Sequence, residues 1–346
     1  MTTFIQLHLL TAYPPSNLNR DDLGRPKTAI VGGTERLRIS SQSLKRAWRT
    51  SEHFENALGD FKGMRTKRLG AEVYEKLTGM GVKEKDAGKW ASAIAAVFGK
   101  VKKENPLEIE QLAHVSPEEW QAVMALADTL AAENREPDKE ELGLLREKPK
   151  AVDIALFGRM LAASPVFNVE AAAQVAHAIT VNQVKIEDDF FTAVDDLNTH
   201  EEDAGTGHMG DAGFGSGVFY QYICIDRDQL VENLQGDREL ANKAIAALTE
   251  VAAKVAPTGK QNSFASRAYT SYLLAEKGSQ QPRSLSVAFL QPVRGNDLMT
   301  QAIEELETQS GNFDRMYGDC ADARRTMNAH TGKGATLEEI IQFVTE

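Results

Sequence analysis

Arg36-Leu37-Arg38-Ile39-Ser40-Ser41-Gln42-Ser43-Leu44-Lys45-Arg46-Ala47-Trp48-Arg49 reads as a short strand running into a helix. Leu37 and Ile39 alternate with Arg36 and Arg38, so the strand has one dry side and one basic side. Ser40 and Ser41 stand where an N-cap belongs. Gln42, Lys45, Arg46 and Arg49 then recur at i, i+3, i+4 and i+7, one face of a helix, while Leu44, Ala47 and Trp48 make a drier neighbouring face. A capped helix start offers unpaired backbone N–H groups and the positive end of the dipole. With hydroxyls, an amide and three cations added, the stretch suits phosphodiesters. It also fits an ordinary solvated basic face, and these letters alone leave both readings open.

Charge decides how far to take it. The 346-residue chain has a net charge of −11, which argues on average against a nucleic-acid partner. Residues 17–50, however, hold eight Lys/Arg against three acids, a local +5 that leaves −16 on the remainder. A basic patch on an acidic body can hold a polyanion without coating it indiscriminately. The hydrophobic content of 42% and charged content of 26% are those of a soluble globular protein with a real core. No apolar run is long enough to span a membrane. The start, MTTFIQLHLLTAY, lacks the features of a signal peptide and alternates Ile5, Leu7 and Leu9 with Gln6 and His8, as a first strand does. Cys224 and Cys320 are isolated, which fits a reducing cytoplasmic setting.

Between that strand and the basic unit lies a long loop, PPSNLNRDD at 14–22 followed by turn residues at Gly24, Pro26, Gly32 and Gly33. A loop of this length is more often functional than idle. Beyond about residue 54 the pattern turns helical. Trp90, Ile94, Val97, Phe98 and Val101 form one amphipathic stripe; Trp120, Val123, Met124, Ala127 and Leu130 form another behind a Ser116-Pro117-Glu118-Glu119 capping box. The tryptophans are therefore core residues. The charged run 133–150 is read as a solvated connection. Strand character is expected again over 152–160, then an alanine-rich helix over 169–176 and an apolar segment over 177–184. Residues 190–197 lead into a glycine-dense excursion over 198–216 and out into a β-branched, aromatic strand over 217–225, together a projecting ribbon. A helix with Leu240, Ala244, Ala247, Leu248 and Val251 inward, a strand over 284–290 and helices over 298–308 and 337–344 complete the map.

Gly205-Thr206-Gly207-His208-Met209-Gly210 matches G-x-G-x-x-G, but an acidic loop precedes it and a strand follows, so the dinucleotide reading is rejected. The seven histidines show no metal-protease spacing. Paired carboxylates at Asp21-Asp22, Asp188-Asp189 and Asp195-Asp196 could in principle serve a metal-dependent nuclease. Adjacent strand residues face opposite ways, though, and adjacent loop carboxylates usually serve turns. Cys224, mid-strand beside tyrosines, reads as core. No catalytic residue, metal ligand or cofactor is assigned.

LNRDD (18–22), RISSQSLKRA (38–47), VDIAL-x-GRM (152–160), AHAIT (176–180), FTAVDDL (191–197) and SGVFYQY (216–222) together resemble the CasC family, the backbone subunit of the type I-E CRISPR surveillance complex, Cascade. The order is kept through the first 225 residues, and RISSQSLKRA with FTAVDDL is the specific pair. The resemblance implies an α+β right hand: an RRM-like, ferredoxin-like palm, helical fingers inserted in it and a β-hairpin thumb. On this chain the palm would take 1–53, 151–195 and 217–346, with strands at 4–13, 36–40, 152–160 and 217–225; the fingers would take 54–150 and the thumb 196–216.

It further implies a non-catalytic cytoplasmic protein of antiviral defence. About six copies would form a helical filament on one CRISPR RNA (crRNA), kink out every sixth nucleotide and present the rest to a target DNA strand. CasA, CasB, CasD and CasE would be its partners. Ser40, Gln42, Lys45, Arg46 and Arg49 would cradle the RNA backbone, with Arg20 and Lys27 joining from the loop. Gly158, Arg159 and Met160 would lie beside the kink. Thr206, His208, Met209 and Phe214 would supply thumb and neighbour contacts, on a thumb enriched in glycine at Gly207, Gly213 and Gly215. A subunit that must accept any guide should hold phosphates and leave bases free. Two rivals remain: a metal-dependent endoribonuclease related to type III backbone subunits, using Asp21 or Asp22, and an interaction domain without nucleic acid.

Overall fold

A computed structural model describes residues 2–193 and 208–346. Its strands are β1 (Phe4–Ser16), β2 (Thr28–Val31), β3 (Thr34–Ile39), β4 (Met64–Thr66), β5 (Ala113–Val115), β6 (Ala173–Val175), β7 (Ala178–Thr180), β8 (Glu187–Ala193), β9 (His208–Asp226), β10 (Tyr272–Gly278), β11 (Ala323–Asn328) and β12 (Lys333–Gly334). Its helices are α1 (Ser41–Arg49), α2 (Glu52–Leu58), α3 (Leu69–Gly79), α4 (Glu84–Phe98), α5 (Pro117–Glu133), α6 (Val152–Phe157), α7 (Arg227–Asn233), α8 (Arg238–Lys254), α9 (Gln261–Phe264), α10 (Leu298–Tyr317) and α11 (Leu337–Thr345).

Strand β1 is central. It pairs antiparallel with β9 on one side (Ile5 opposite Ile225, Leu7 opposite Ile223) and with β10 on the other (Leu7 opposite Ala275, Leu9 opposite Leu273). The sheet order is β12-β11-β10-β1-β9-β7-β3-β2, with β6 and β8 also pairing with β9. The odd residues Ile5, Leu7 and Leu9 share a core with Leu44 and Trp48 of α1, Phe54 of α2, Leu240, Leu248 and Val251 of α8 and Ile340 of α11. The opposite face packs Leu10, Tyr220, Tyr272 and Leu274 against Met299, Ala302 and Leu306 of α10. Covered on both sides, the sheet leaves His8 no solvent, and its ring is held by Tyr220 Oη at 2.9 Å and Glu276 at 3.2 Å. Each fully buried aliphatic side chain here contributes about 1.5–3 kcal/mol.

Helices α3, α4 and α5 bury a second core of their own, including Leu69, Val73, Trp90, Ile94, Phe98, Val123 and Leu130, beside the β4–β5 pair. The Ser116–Glu119 capping box forms as the spacing predicts, with Pro117 in the first turn. The charged connection after α5 carries a bidentate Arg135–Glu141 pair and drops Leu144 and Leu145 into this core.

Three expected elements are corrected. Residues 152–160 do not form a strand. Val152–Phe157 is a short buried helix that ends at Gly158, whose φ of 81° suits glycine. Every residue from Val152 to Leu156 is buried, Asp153 included, so the segment has no exposed face whose period could separate strand from helix. The alanine-rich segment 169–176 is not a helix: Ala173 and Val175 pair with Ile225 and Ile223. Sheet pairing overrides alanine's propensity there. Residues 284–290 hold a 3₁₀ turn, Ser286–Phe289, rather than a strand; Leu285 and Phe289 turn inward together.

The ribbon continues the central sheet. From Gly215 to Asp226, β9 pairs with β1; from His208 to Phe214 it pairs with β8, which begins at Glu187. Gly210 lies under Phe191, where a Cβ would stand 2.7 Å from the ring. Among the described residues no helix is long and apolar enough to cross a membrane.

Candidate nucleic-acid interface

Helix α1 starts as its letters predict. Ser40 Oγ accepts from the Ser43 N–H at 3.3 Å, and the Ser40 N–H donates to Asn19 Oδ1 at 2.8 Å. The cap is thus bonded to the loop before β2 as well as to its own helix. Asn17 pins that loop further, donating to Gly24 O at 3.0 Å and to Gly213 O of the ribbon at 2.9 Å. Arg25 adds an ion pair with Asp188 of β8 at 3.0 Å. Loop, helix start and ribbon root are one connected unit.

Between them opens a groove of about 520 Å³, lined by Leu18, Asn19, Arg20, Asp21, Asp22 and Gly24, by Ser43, Arg46, Ala47 and Thr50 of α1, and by Thr258 and Gly259. Arg20, Gln42 and Arg46 are exposed, and neither arginine has a carboxylate partner among the described residues. Lys45 is half-buried with Nζ 5.4 Å from the centre of the Phe157 ring; burial and the nearby Arg65 guanidinium hold its pKa below the ordinary lysine value. Lys27 is half-buried, and its backbone N–H donates to Asn19 O at 2.8 Å. Burial, then Arg38, then Lys27 lower the pKa of His177, whose Nδ1 lies 3.0 Å from Arg38 Nη1. Cations that disfavour one another in this way form an anion-seeking surface.

Two predicted contacts lie elsewhere. Arg49 turns inward: its Nε bonds the Asp153 carboxylate and its Nη2 donates to Gly63 O at 2.6 Å. Arg159 is 5% exposed. Its Nη1 bridges both Glu119 oxygens at 2.9 and 2.8 Å, and the rest of its fork meets the Arg146 and Phe167 carbonyls. A guanidinium so occupied has no donors left for phosphate. Spacing identified both as cations but could not locate carboxylates 40 and 104 positions away. Arg36, read as part of the basic strand side, is also buried, donating to Thr180, Val181 and Phe289 carbonyls.

Gly158 is the turn after α6, and Met160 stands 82% exposed. On the ribbon Met209 is 61% exposed, as is Phe190 at 67%, while Phe214 rests its ring 5.8 Å from that of Phe264. His208 lies opposite Ala193 in the ladder. Thr206 and Gly207, with Asp195 and Asp196, lie outside the described residues. Asp21 Oδ1 accepts from the Leu23 and Arg25 N–H groups, both at 2.9 Å, which assigns it to its own turn. Among the described residues no three His, Cys, Asp or Glu gather as metal ligands would. Cys224 is buried with its thiol pKa pushed up to about 11, mainly by burial, in keeping with a core residue.

Arg38, Arg65, His177 and Asn19 join the site without having been singled out. Arg38 stood in the basic stretch, and Asn19 in the loop that the sequence marked as functional. Arg65 and His177 gave no local signal.

Comparison with known proteins agrees with this geometry. A chain of a solved "CRISPR RNA-guided surveillance complex, pre-nicking" is similar at 31% identity and a TM-score of 0.84, over 99% of both chains. A chain of a second "CRISPR RNA-guided surveillance complex" is similar at 26% identity and a TM-score of 0.75, again over 99% of each. No curated protein matches. The CT1975-like protein family matches over residues 5–343, from the first core strand into the last helix, so the chain belongs to that family and the resemblance carried by RISSQSLKRA and FTAVDDL holds.

Proposed function

We propose that this chain is the crRNA-holding backbone subunit of a type I-E Cascade complex, without catalytic activity of its own. In this reading the large sheet with α1 is the palm, the α3–α5 unit the fingers and the β8–β9 ribbon the thumb. Copies would stack along one crRNA, each thumb opening a base step, with Met209 as an apolar wedge. The observation that carries the reading is the groove at the capped start of α1. There Arg20 and Arg46 have no ion-pair partner among the described residues, Lys45 and Lys27 lie on the flanking α1 and loop, and the lining offers backbone and hydroxyl groups, with Asp21 and Asp22, rather than an aromatic stacking row. Such a surface holds phosphates and ignores base identity. The occupied turn role of Asp21 supports the non-catalytic part.

The experiment is co-purification with the other Cascade subunits, followed by extraction and sizing of the bound nucleic acid. A discrete RNA present in the wild type and lost or shortened in Lys45→Ala/Arg46→Ala is the expected result. Unchanged RNA in that variant would leave α1 an ordinary basic helix and overturn the reading.

A further inference from the structure

The groove beside α1 has a third lining segment that the sequence does not announce. Thr258 and Gly259 belong to the connection after α8, far from the loop and α1 in the chain. Gly259 packs so tightly on the loop that a Cβ would stand 2.3 Å from the Leu18 carbonyl oxygen and 2.6 Å from that of Asn17. Glycine alone permits that approach.

Lys260 follows in the left-handed region at φ 45°, and Ala265 repeats the conformation at φ 46° after α9. Neither residue type favours that region, so the surroundings must impose it. They do: Ser263 and Phe264 N–H groups donate to the Lys260 carbonyl at 3.1 Å, and the Phe264 ring packs on Phe214 of the ribbon. The segment is clamped between the loop on one side and the ribbon root on the other. Lys260, half-buried, has no carboxylate partner among the described residues. Were backbone shape the only requirement, glycine or asparagine would meet it with less strain. Lysine adds a cation one residue beyond Gly259, the last residue of this segment in a groove that Arg20 and Arg46 also line.

We infer that residues 258–260 are a further phosphate-binding element of this groove, Thr258 acting through its hydroxyl and Lys260 through its ammonium on the single-stranded RNA backbone. The inference rests on the RNA-binding reading above, and its test separates the two. The full-length chain is titrated with a labelled oligouridylate over a series of salt concentrations, as wild type, Lys260→Gly, Lys260→Arg and Lys45→Ala/Arg46→Ala. Glycine suits the left-handed position, so Lys260→Gly removes the charge without disturbing the fold. The expected result is a several-fold weaker affinity and a log–log salt slope shallower by about 0.7 for Lys260→Gly, with Lys260→Arg close to wild type. Wild-type affinity and slope in Lys260→Gly, alongside weakened Lys45→Ala/Arg46→Ala, would overturn this inference and leave the proposed function standing. Unaltered binding in both would overturn the two together.

Discussion

Arg46 and Arg49 stand three residues apart on α1, yet only Arg46 keeps its guanidinium in solvent. Arg159 is more deeply enclosed still, paired with a Glu119 that also accepts from the Ser116 and Arg146 N–H groups. Removing one member of a buried ion pair leaves the other charge uncompensated, at a cost of about 3–5 kcal/mol. Arg159→Ala is therefore expected to lower unfolding free energy by about that amount in urea titrations. In whatever fraction stays folded, it should leave the salt dependence of RNA binding alone. Arg46→Ala should do the reverse: stability within about 0.5 kcal/mol of wild type, and a salt slope shallower by about 0.7. Equal slopes in the two variants would reject the division of roles drawn from their burial. That division was not legible in the sequence. Spacing places a cation on a helix face, but its partner comes from another element.

A polar latch joins elements that the chain keeps apart. Asp153 of α6 accepts from Arg49 of α1, from His114 of β5 at 2.7 Å and from the Gly63 N–H beside β4 at 2.8 Å. Burial works against the Asp153 carboxylate, but its bond to His114, the charge of Arg49 and the Gly63 N–H together hold its pKa below the ordinary range. Burial lowers the pKa of His114, outweighing the pull of Asp153, and the Arg65 and Arg49 charges add to the effect. Arg65 Nε donates to His114 Nδ1 at 3.4 Å, so the neutral ring carries its proton on Nε2 toward Asp153. A histidine whose folded pKa is depressed binds fewer protons folded than unfolded, so acid favours the unfolded chain. The contribution is flat above the ordinary value of 6.5 and falls below it, by up to about 1.4 kcal/mol per pH unit, until the folded pKa is reached. Denaturation midpoints taken from pH 7.5 downward should decline across that window. His114→Gln, which keeps a donor for Asp153, should flatten the decline, although His8, buried with the same sign of shift, retains its own share. A profile in His114→Gln as steep as in the wild type would remove His114 from the account. At this scale the sequence was readable where a pattern had a period, as in β1, β9, α1 and α5. It was unreadable over 152–160 and 169–176, where apolar and small residues are interrupted only by Asp153, Arg159, Glu170 and Gln174 and tertiary packing chose the conformation.

Charge governs the molecule as a whole. Each copy carries −11, with about +5 concentrated in residues 17–50, so like copies repel at long range while each attracts a polyanion to one side. Among the described residues, exposed apolar side chains such as Met160, Phe190 and Met209 are spread over the turn after α6 and the ribbon. Scattered apolar residues of this kind supply little association energy on their own. The proposed filament would therefore need its RNA, because counter-ion release at the basic groove would add a driving force beyond protein–protein contact. The full-length chain alone should therefore sediment as a monomer in moderate salt. A single-stranded RNA several subunits long should shift it to a discrete large species, and ribonuclease should reverse the shift as the RNA is shortened. Raising the salt should dissolve the same assembly, more readily for Lys45→Ala/Arg46→Ala. A chain that forms the same large species without RNA, insensitive to ribonuclease, would mean that protein contacts outweigh the repulsion. The groove beside α1 would then line the filament without organising it.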